Sequence, residues 1–223
     1  MTLNKSLMNK FILIAVFIIA MAYLESAVVV YLRAISYPEG FHFPLKIMPV
    51  NIYCIEVGRE FATIVMLIIL GYLCGNTLLE RFLYFILCFG IWDIFYYVWL
   101  KIFLNWPVSL LENDLLFLIP GPWVGPVAAP LLVSFTMIIT AILSLYLQAI
   151  GFKFKIEKEH ALLTILGCFL ILTAFLGNVN KINLLENSNP NFQWEIFLIG
   201  EIILIFSVVL FFYKNINKSI KLK

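Results

Sequence analysis

Charge is what this chain has least of. Only 13% of its 223 residues are Asp, Glu, Lys or Arg, and 63% are hydrophobic, with a mean hydropathy of +1.02. Soluble domains carry about 25% charged residues, so a soluble fold is excluded. Histidine is scarce: His42 and His160 are the only two. The four cysteines, Cys54, Cys74, Cys88 and Cys168, stand singly in apolar runs. Zinc and dithiol motifs need close pairs, so these read as packed thiols. The H-E-x-x-H, G-x-S-x-G, P-loop and dinucleotide patterns are missing, which leaves named hydrolase and nucleotide chemistries without a motif. No internal repeat supports an inverted-repeat transporter design. Nor is there the alternation over about ten residues that marks a membrane β-barrel.

What the chain does have is long apolar runs. Six reach the length of about 20 residues that a helix needs to cross the hydrocarbon core: 11–32, 50–73, 82–103, 127–150, 160–178 and 193–213. The predicted fold is an all-α integral membrane protein, a six-transmembrane-helix bundle forming a single polytopic domain over 1–223. Turn-forming stretches separate the runs, among them "SYPEGFHFP", "CGNTLLER", "GFKFKIEKEH" and "NSNPN". The first run follows Lys5 and Lys10 as a signal peptide would, but it continues past Ala20 to Val30 without a small-x-small site. It is expected to be a retained helix.

Basic residues orient the bundle. With the N-terminus inside, Lys5, Lys10, Arg81, Lys153, Lys155, Lys158, Lys214, Lys218, Lys221 and Lys223 fall on the cytoplasmic side; Arg33, Lys46, Lys101 and Lys181 fall opposite. The positive-inside rule places both termini in the cytoplasm. The Lys-, Ile- and Asn-rich composition fits a prokaryotic inner (plasma) membrane.

Segment 107–126 departs from the pattern. Pro107, Pro120, Pro122, Pro126 and the following Pro130 accompany Gly121 and Gly125, and proline prevents a continuous helix. Two readings stay open. "SLLENDLLFLI" forms a short re-entrant or interfacial helix, tolerable only where protein covers its backbone, or the segment is an external loop on the membrane surface.

The second run, "NIYCIEVGREFATIVMLIILGYL", carries Glu56, Arg59 and Glu60. At 100° per residue, Glu60 lies about 40° from Glu56, and Arg59 about 60° to the other side. Thr63 shares their wedge. Each charge near a helix centre costs about 2.5–3.5 kcal/mol, and each Leu, Ile, Phe or Val returns about 0.3–0.6. Phe61 to Leu73 holds eight such residues, together worth about 2–5 kcal/mol. That offsets one charge of the three. The wedge must therefore face the bundle interior or water, with Arg59 paired to Glu56 at i,i+3.

Other runs supply further acids: Glu25 in the first, Asp93 in the third with Tyr96 and Tyr97 on its face, and Glu201 in the sixth. In the assigned orientation Glu25, Glu56, Glu60, Asp93 and Glu201 share one depth, between the midplane and the outer leaflet. The expectation is an outward-opening carboxylate chamber built by spans one, two, three and six. Its binding residues would be Glu25, Glu56, Arg59, Glu60, Asp93, Tyr97 and Glu201, with Arg33 and Lys101 at the outer rim. The plainer alternative is that Arg59 only staples helices through Glu56, Glu60 and Asp93.

Three functions suit such a chamber. Buried acids that bind a cation or proton, or a small substrate coupled to one, belong to transporters. Two carboxyls would also serve as acid and base towards a lipid-borne substrate, or hold a divalent cation, with Glu60, Asp93 and His42 as weak metal candidates. The third is a non-catalytic subunit or assembly factor, with Trp92, Trp99, Trp106, Trp123 and Trp194 as interfacial anchors. Haem and nucleotide cofactors and nucleic-acid partners are not expected. The expected partners are the bilayer, with either a second copy or a membrane complex.

Overall fold

The computed structural model describes residues 2–43, 45–46, 48–177 and 191–221. Lys181, Lys223 and most of the "NSNPN" turn lie outside the described residues. The described chain forms six helices and one hairpin: α1 (Thr2–Ser36), α2 (Val50–Cys74), α3 (Leu78–Leu104), β1 (Asn113–Phe117), β2 (Trp123–Pro126), α4 (Ala128–Ala149), α5 (Lys158–Leu176) and α6 (Trp194–Lys221). All six helices are long and apolar enough to cross a membrane. The shortest, α5, has 19 residues, or about 28 Å at 1.5 Å each, close to the hydrocarbon thickness. The chain is thus a six-helix multi-pass membrane protein.

Local chemistry sets the helix ends. The Thr77 hydroxyl accepts from the Glu80 N–H at 3.2 Å and starts α3, while the Glu80 carboxylate accepts from the Asn76 N–H at 2.8 Å. The helix stops at Asn105, in the left-handed region at φ 52°, where asparagine is tolerated. Lys101 donates to the carbonyls of Asn105 and Pro107 just beyond. It therefore closes the helix end that carries the negative pole of its dipole. Pro130 sits in the first turn of α4, where its missing N–H has no helical partner to lose.

Outward faces are apolar, as acyl chains require: Leu13 and Phe17, Phe61 and Ile68, Leu162 and Phe169, and Ile202 and Phe206 are all exposed. Inside, α3 is the central element and packs on α1, α2 and α4. Their shared core includes Ile18, Leu67, Leu83, Leu87, Cys88 and Ala141. Helices α5 and α6 pack on each other at a backbone-to-backbone crossing. A Cβ added to Gly167 would stand 2.9 Å from the Gly200 carbonyl oxygen. Small residues at such crossings let helices approach where no hydrophobic force drives them together.

The segment before α4 is the departure from expectation. Residues 109–119 do not form the short helix considered above. They contain β1, which pairs antiparallel with β2 from Asn113↔Pro126 to Phe117↔Trp123. An apolar run of this length does not distinguish strand from helix by periodicity, and proline on both sides leaves too little chain for a stable helix. The surface-loop alternative is also replaced, because the hairpin enters the bundle. Phe117 lies against Phe89 and Trp92 in the middle of α3, with ring centroids 6.3 and 6.1 Å away. On the other side Trp123 stacks on Phe175 of α5 at 6.0 Å. A side chain at Gly125 would meet the Phe175 and Phe192 rings at 2.8 Å. The hairpin is a wedge between α3 and the α5–α6 pair.

Candidate functional site

A hairpin at this depth needs partners for its backbone, since lipid offers none. The ladder satisfies most groups, and Val127 and Ala128 close it by donating to the carbonyls of Glu112 and Leu110. At the inner end the Leu118 N–H has passed the last strand pair. It donates to Glu60 Oε2 at 2.8 Å. At the outer end Asp114, only 2% exposed, accepts from the Leu115 N–H and from Arg33 Nη2, both at 2.9 Å. Arg33 lies between aromatic rings, with its guanidinium carbon 3.9 Å from the Trp106 centroid and 4.3 Å from that of Phe41.

Deeper, Arg59 joins α1 to α2. It donates through Nε to Glu56 Oε2 at 2.9 Å and also pairs with Glu25. The Thr63 hydroxyl adds a hydrogen bond to Glu25 at 3.0 Å. On α3, Asp93 accepts from the Ser134 hydroxyl of α4 at 2.8 Å. That close approach is possible because α3 carries Gly90 one turn earlier, where a Cβ would meet the Ser134 carbonyl oxygen at 2.8 Å.

These groups surround one cavity of about 90 Å³ between α1, α2, α3 and β1. It brings together Glu25, Glu56, Arg59, Glu60, Asp93 and Tyr97 from the expected binding set with Arg33 of the expected rim, and adds Asp114. Five carboxyls thus face two guanidinium groups. Aromatic walls come from Phe41, Trp92, Tyr96 and Phe117. The lining extends to Ser36 and Tyr37, which places its mouth at the end of the bundle where α1 finishes and α2 begins.

Glu201 does not join them. It is buried at 6% exposure on α6, where it accepts from Thr136 of α4. Ser134, the partner of Asp93, is two residues from Thr136. On a helix this separation turns the side chain by about 200°, so α4 stands between Glu201 and the cavity. The sixth span is therefore replaced by the hairpin as the chamber's fourth wall. Lys101, expected at the rim, is occupied in closing α3. His42 packs edge-on against Tyr37, centroids 5.8 Å apart. It lines a second, wider cavity of about 470 Å³ with Phe41, Trp106 and Glu112. Among the described residues no three His, Cys, Asp or Glu side chains group closely enough to hold a metal ion; Glu60, Asp93 and His42 are not such a set.

Asp114 is the residue that sequence reasoning passed over. Its signal was a single acid inside "NDLLFLI", readable only once that run is known to be buried. Comparison with protein-family models, with curated proteins and with solved structures finds no match for this chain.

Proposed function

We propose that this membrane protein binds a small charged substrate, coupled to a proton or another cation, in the cavity between α1, α2, α3 and the hairpin, and transports it. The excess of basic residues at one end of the bundle supports cytoplasmic termini. The cavity mouth then faces outward, in the inner (plasma) membrane of a prokaryote. Glu60 and Asp93 are the central acids, Glu25 and Glu56 secondary ones, and Arg59 their counter-ion. The observation that carries this reading is the convergence of five carboxyl and two guanidinium groups, from three helices and one strand, on a single cavity. Ionisable groups at membrane depth are costly, and they mark substrate and ion pathways.

The test is flux in proteoliposomes. Glu60→Gln keeps a carbonyl oxygen that can accept from the Leu118 N–H, so the hairpin stays docked while the charge is lost. Proton-coupled uptake is expected in the wild type and should fall to background in the folded variant. Flux equal to the wild type overturns the proposal.

A second reading has a specific observation in its favour. The Leu118 N–H bond to Glu60 and the Arg33–Asp114 pair both hold the hairpin in place, which suits a non-catalytic subunit or assembly factor. It expects Glu60→Gln and Asp93→Asn to change thermal stability or the recovery of a membrane partner, with no transport to lose.

A further inference from the structure

Two cavities meet at one ring. Among the described residues, Phe41 is the one side chain that lines both the chamber and the wider cavity outside it. Arg33 lines only the chamber and Trp106 only the outer cavity. The three are in mutual contact. The Arg33 guanidinium carbon stands 4.3 Å from the Phe41 centroid and 3.9 Å from that of Trp106, and the two rings meet edge to face at 5.9 Å. Tyr37 and Phe43 complete the cluster, edge-on to Phe41 at 5.2 and 5.7 Å. The wall between the cavities is therefore aromatic, with one guanidinium set into its inner side.

What holds each member differs. Arg33 is fixed by its ion pair with Asp114 at 2.9 Å. Trp106 follows the closed end of α3, between two residues whose carbonyls accept from Lys101. Phe41 belongs to no helix or strand, and its side chain has no polar atom with which to form a hydrogen bond. Ring contacts alone keep it in place. It follows Gly40, which stands at φ 107° and closes a turn by donating to the Tyr37 carbonyl at 3.0 Å. A Cβ at Gly40 would meet nothing within 4 Å, so the backbone conformation, not crowding, is what calls for glycine there. Glycine crosses easily between conformations, which lets the ring beside it move while α1 stays. Weakly held segments of this kind are the ones that open in a folded protein. We propose that Phe41 is the outer gate of the chamber, closed here against Arg33 and Trp106, and that its swing away joins the two cavities. This rests on the chamber being the substrate site, and it adds how access to that site is regulated. Opening breaks no hydrogen bond and leaves Arg33 docked on Asp114, so an entering solute passes the guanidinium face that the ring has uncovered.

The experiment is thiol labelling of the full-length protein in lipid nanodiscs with a charged, membrane-impermeant methanethiosulfonate. Peptide mass spectrometry reads each residue separately, so the native cysteines stay in place. Val29→Cys on α1 and Leu115→Cys on β1 report from the chamber, and Leu111→Cys in the wider cavity gives the ungated rate. A minor open state is typically about 0.1–10% populated, so the chamber probes should label at least about tenfold more slowly than Leu111→Cys. Adding Phe41→Ala should speed them by a similar factor, whereas Phe41→Tyr, which keeps the ring, should leave them slow. Cys88, fully buried in the core, must stay unlabelled throughout; if Phe41→Ala exposes it, the comparison with Phe41 in place decides. Chamber probes that label as fast as Leu111→Cys with Phe41 present overturn the gate. So do rates that Phe41→Ala leaves unchanged, or that Phe41→Tyr raises as far as Phe41→Ala does. Labelling requires no transport, so fast chamber labelling removes the gate and leaves the transport reading standing. Wild-type flux in Glu60→Gln does the reverse.

Discussion

The Arg33–Asp114 pair should behave as a buried ion pair that docks the hairpin, and its energetics can be worked out. Both side chains are under 10% exposed, and the N–O distance is 2.9 Å. Removing one member of such a pair leaves an uncompensated charge and costs about 3–5 kcal/mol. Replacing both by apolar groups of similar volume is often close to neutral. Asp114→Leu is therefore expected to destabilise by about 3–5 kcal/mol. Arg33→Met should cost as much, plus about 0.5–2 kcal/mol for its contacts with the Trp106 and Phe41 rings. The double variant should be more stable than either single one. An ordinary interhelical hydrogen bond in a membrane averages only about 0.6 kcal/mol, so the measurement separates the two cases. Equilibrium unfolding in mixed micelles of rising SDS fraction, followed by tryptophan fluorescence, provides the assay, since Trp106 contacts Arg33 directly. Single-variant losses below about 1 kcal/mol, or losses that simply add in the double variant, would refute the argument.

Two further outcomes follow from packing and charge at the α5–α6 pair. A Cβ at Gly200 would lie 2.9 Å from the Gly167 carbonyl oxygen and 3.0 Å from the Ile171 nitrogen. Those are backbone atoms that cannot swing aside, so Gly200→Ala should cost about 1–3 kcal/mol. Gly58→Ala, whose added carbon meets nothing within 4 Å, is the control expected to melt in detergent at or slightly above the wild-type temperature. Glu157, just before α5, is held below the usual carboxylate range by its hydrogen bond from Lys218 and by the Lys218 and Lys214 charges. A depressed acid stabilises the fold above its unfolded value of 4.5 and loses that contribution as pH falls. Melting temperature should therefore drop more steeply in the wild type than in Glu157→Gln between about pH 5 and pH 3. Parallel curves would show that this pair contributes nothing.

Much of the architecture was legible because the solvent is hydrocarbon. Runs of apolar residues leave a chain few options, and the six helices match the six runs to within a few residues at most ends. The buried face of α2, with Glu56, Glu60 and Thr63, could be read from angles alone, because a charge in an apolar helix has only one tolerable direction. Glu201 shows the limit. Its depth along α6 was readable, but depth says nothing about which helix stands beside it, and α4 intervenes. The hairpin was illegible for a different reason. Prolines announced that 107–126 is no continuous helix, whereas the hairpin is seated by contacts with Phe89 and Phe175 that are remote in sequence. Asp114 was hidden with it.

Building the interior from a strand pair makes part of the charge obligatory. The Leu118 N–H needs an acceptor, which Glu60 supplies. Asp114 accepts from the turn-side Leu115 N–H and binds Arg33. Arg59 takes up Glu25 and Glu56 and so holds α1 to α2. With those roles assigned, one acid has no comparable duty. Asp93, 6% exposed, receives a hydrogen bond from Ser134, a contact that a threonine–serine or purely apolar pair would replace without burying a carboxyl. A group so costly to bury, with so small a structural return, is where a functional demand on this cavity should be sought first. Asp93→Asn keeps both the shape and the Ser134 bond. If binding and flux survive that change, the demand lies elsewhere in the chamber.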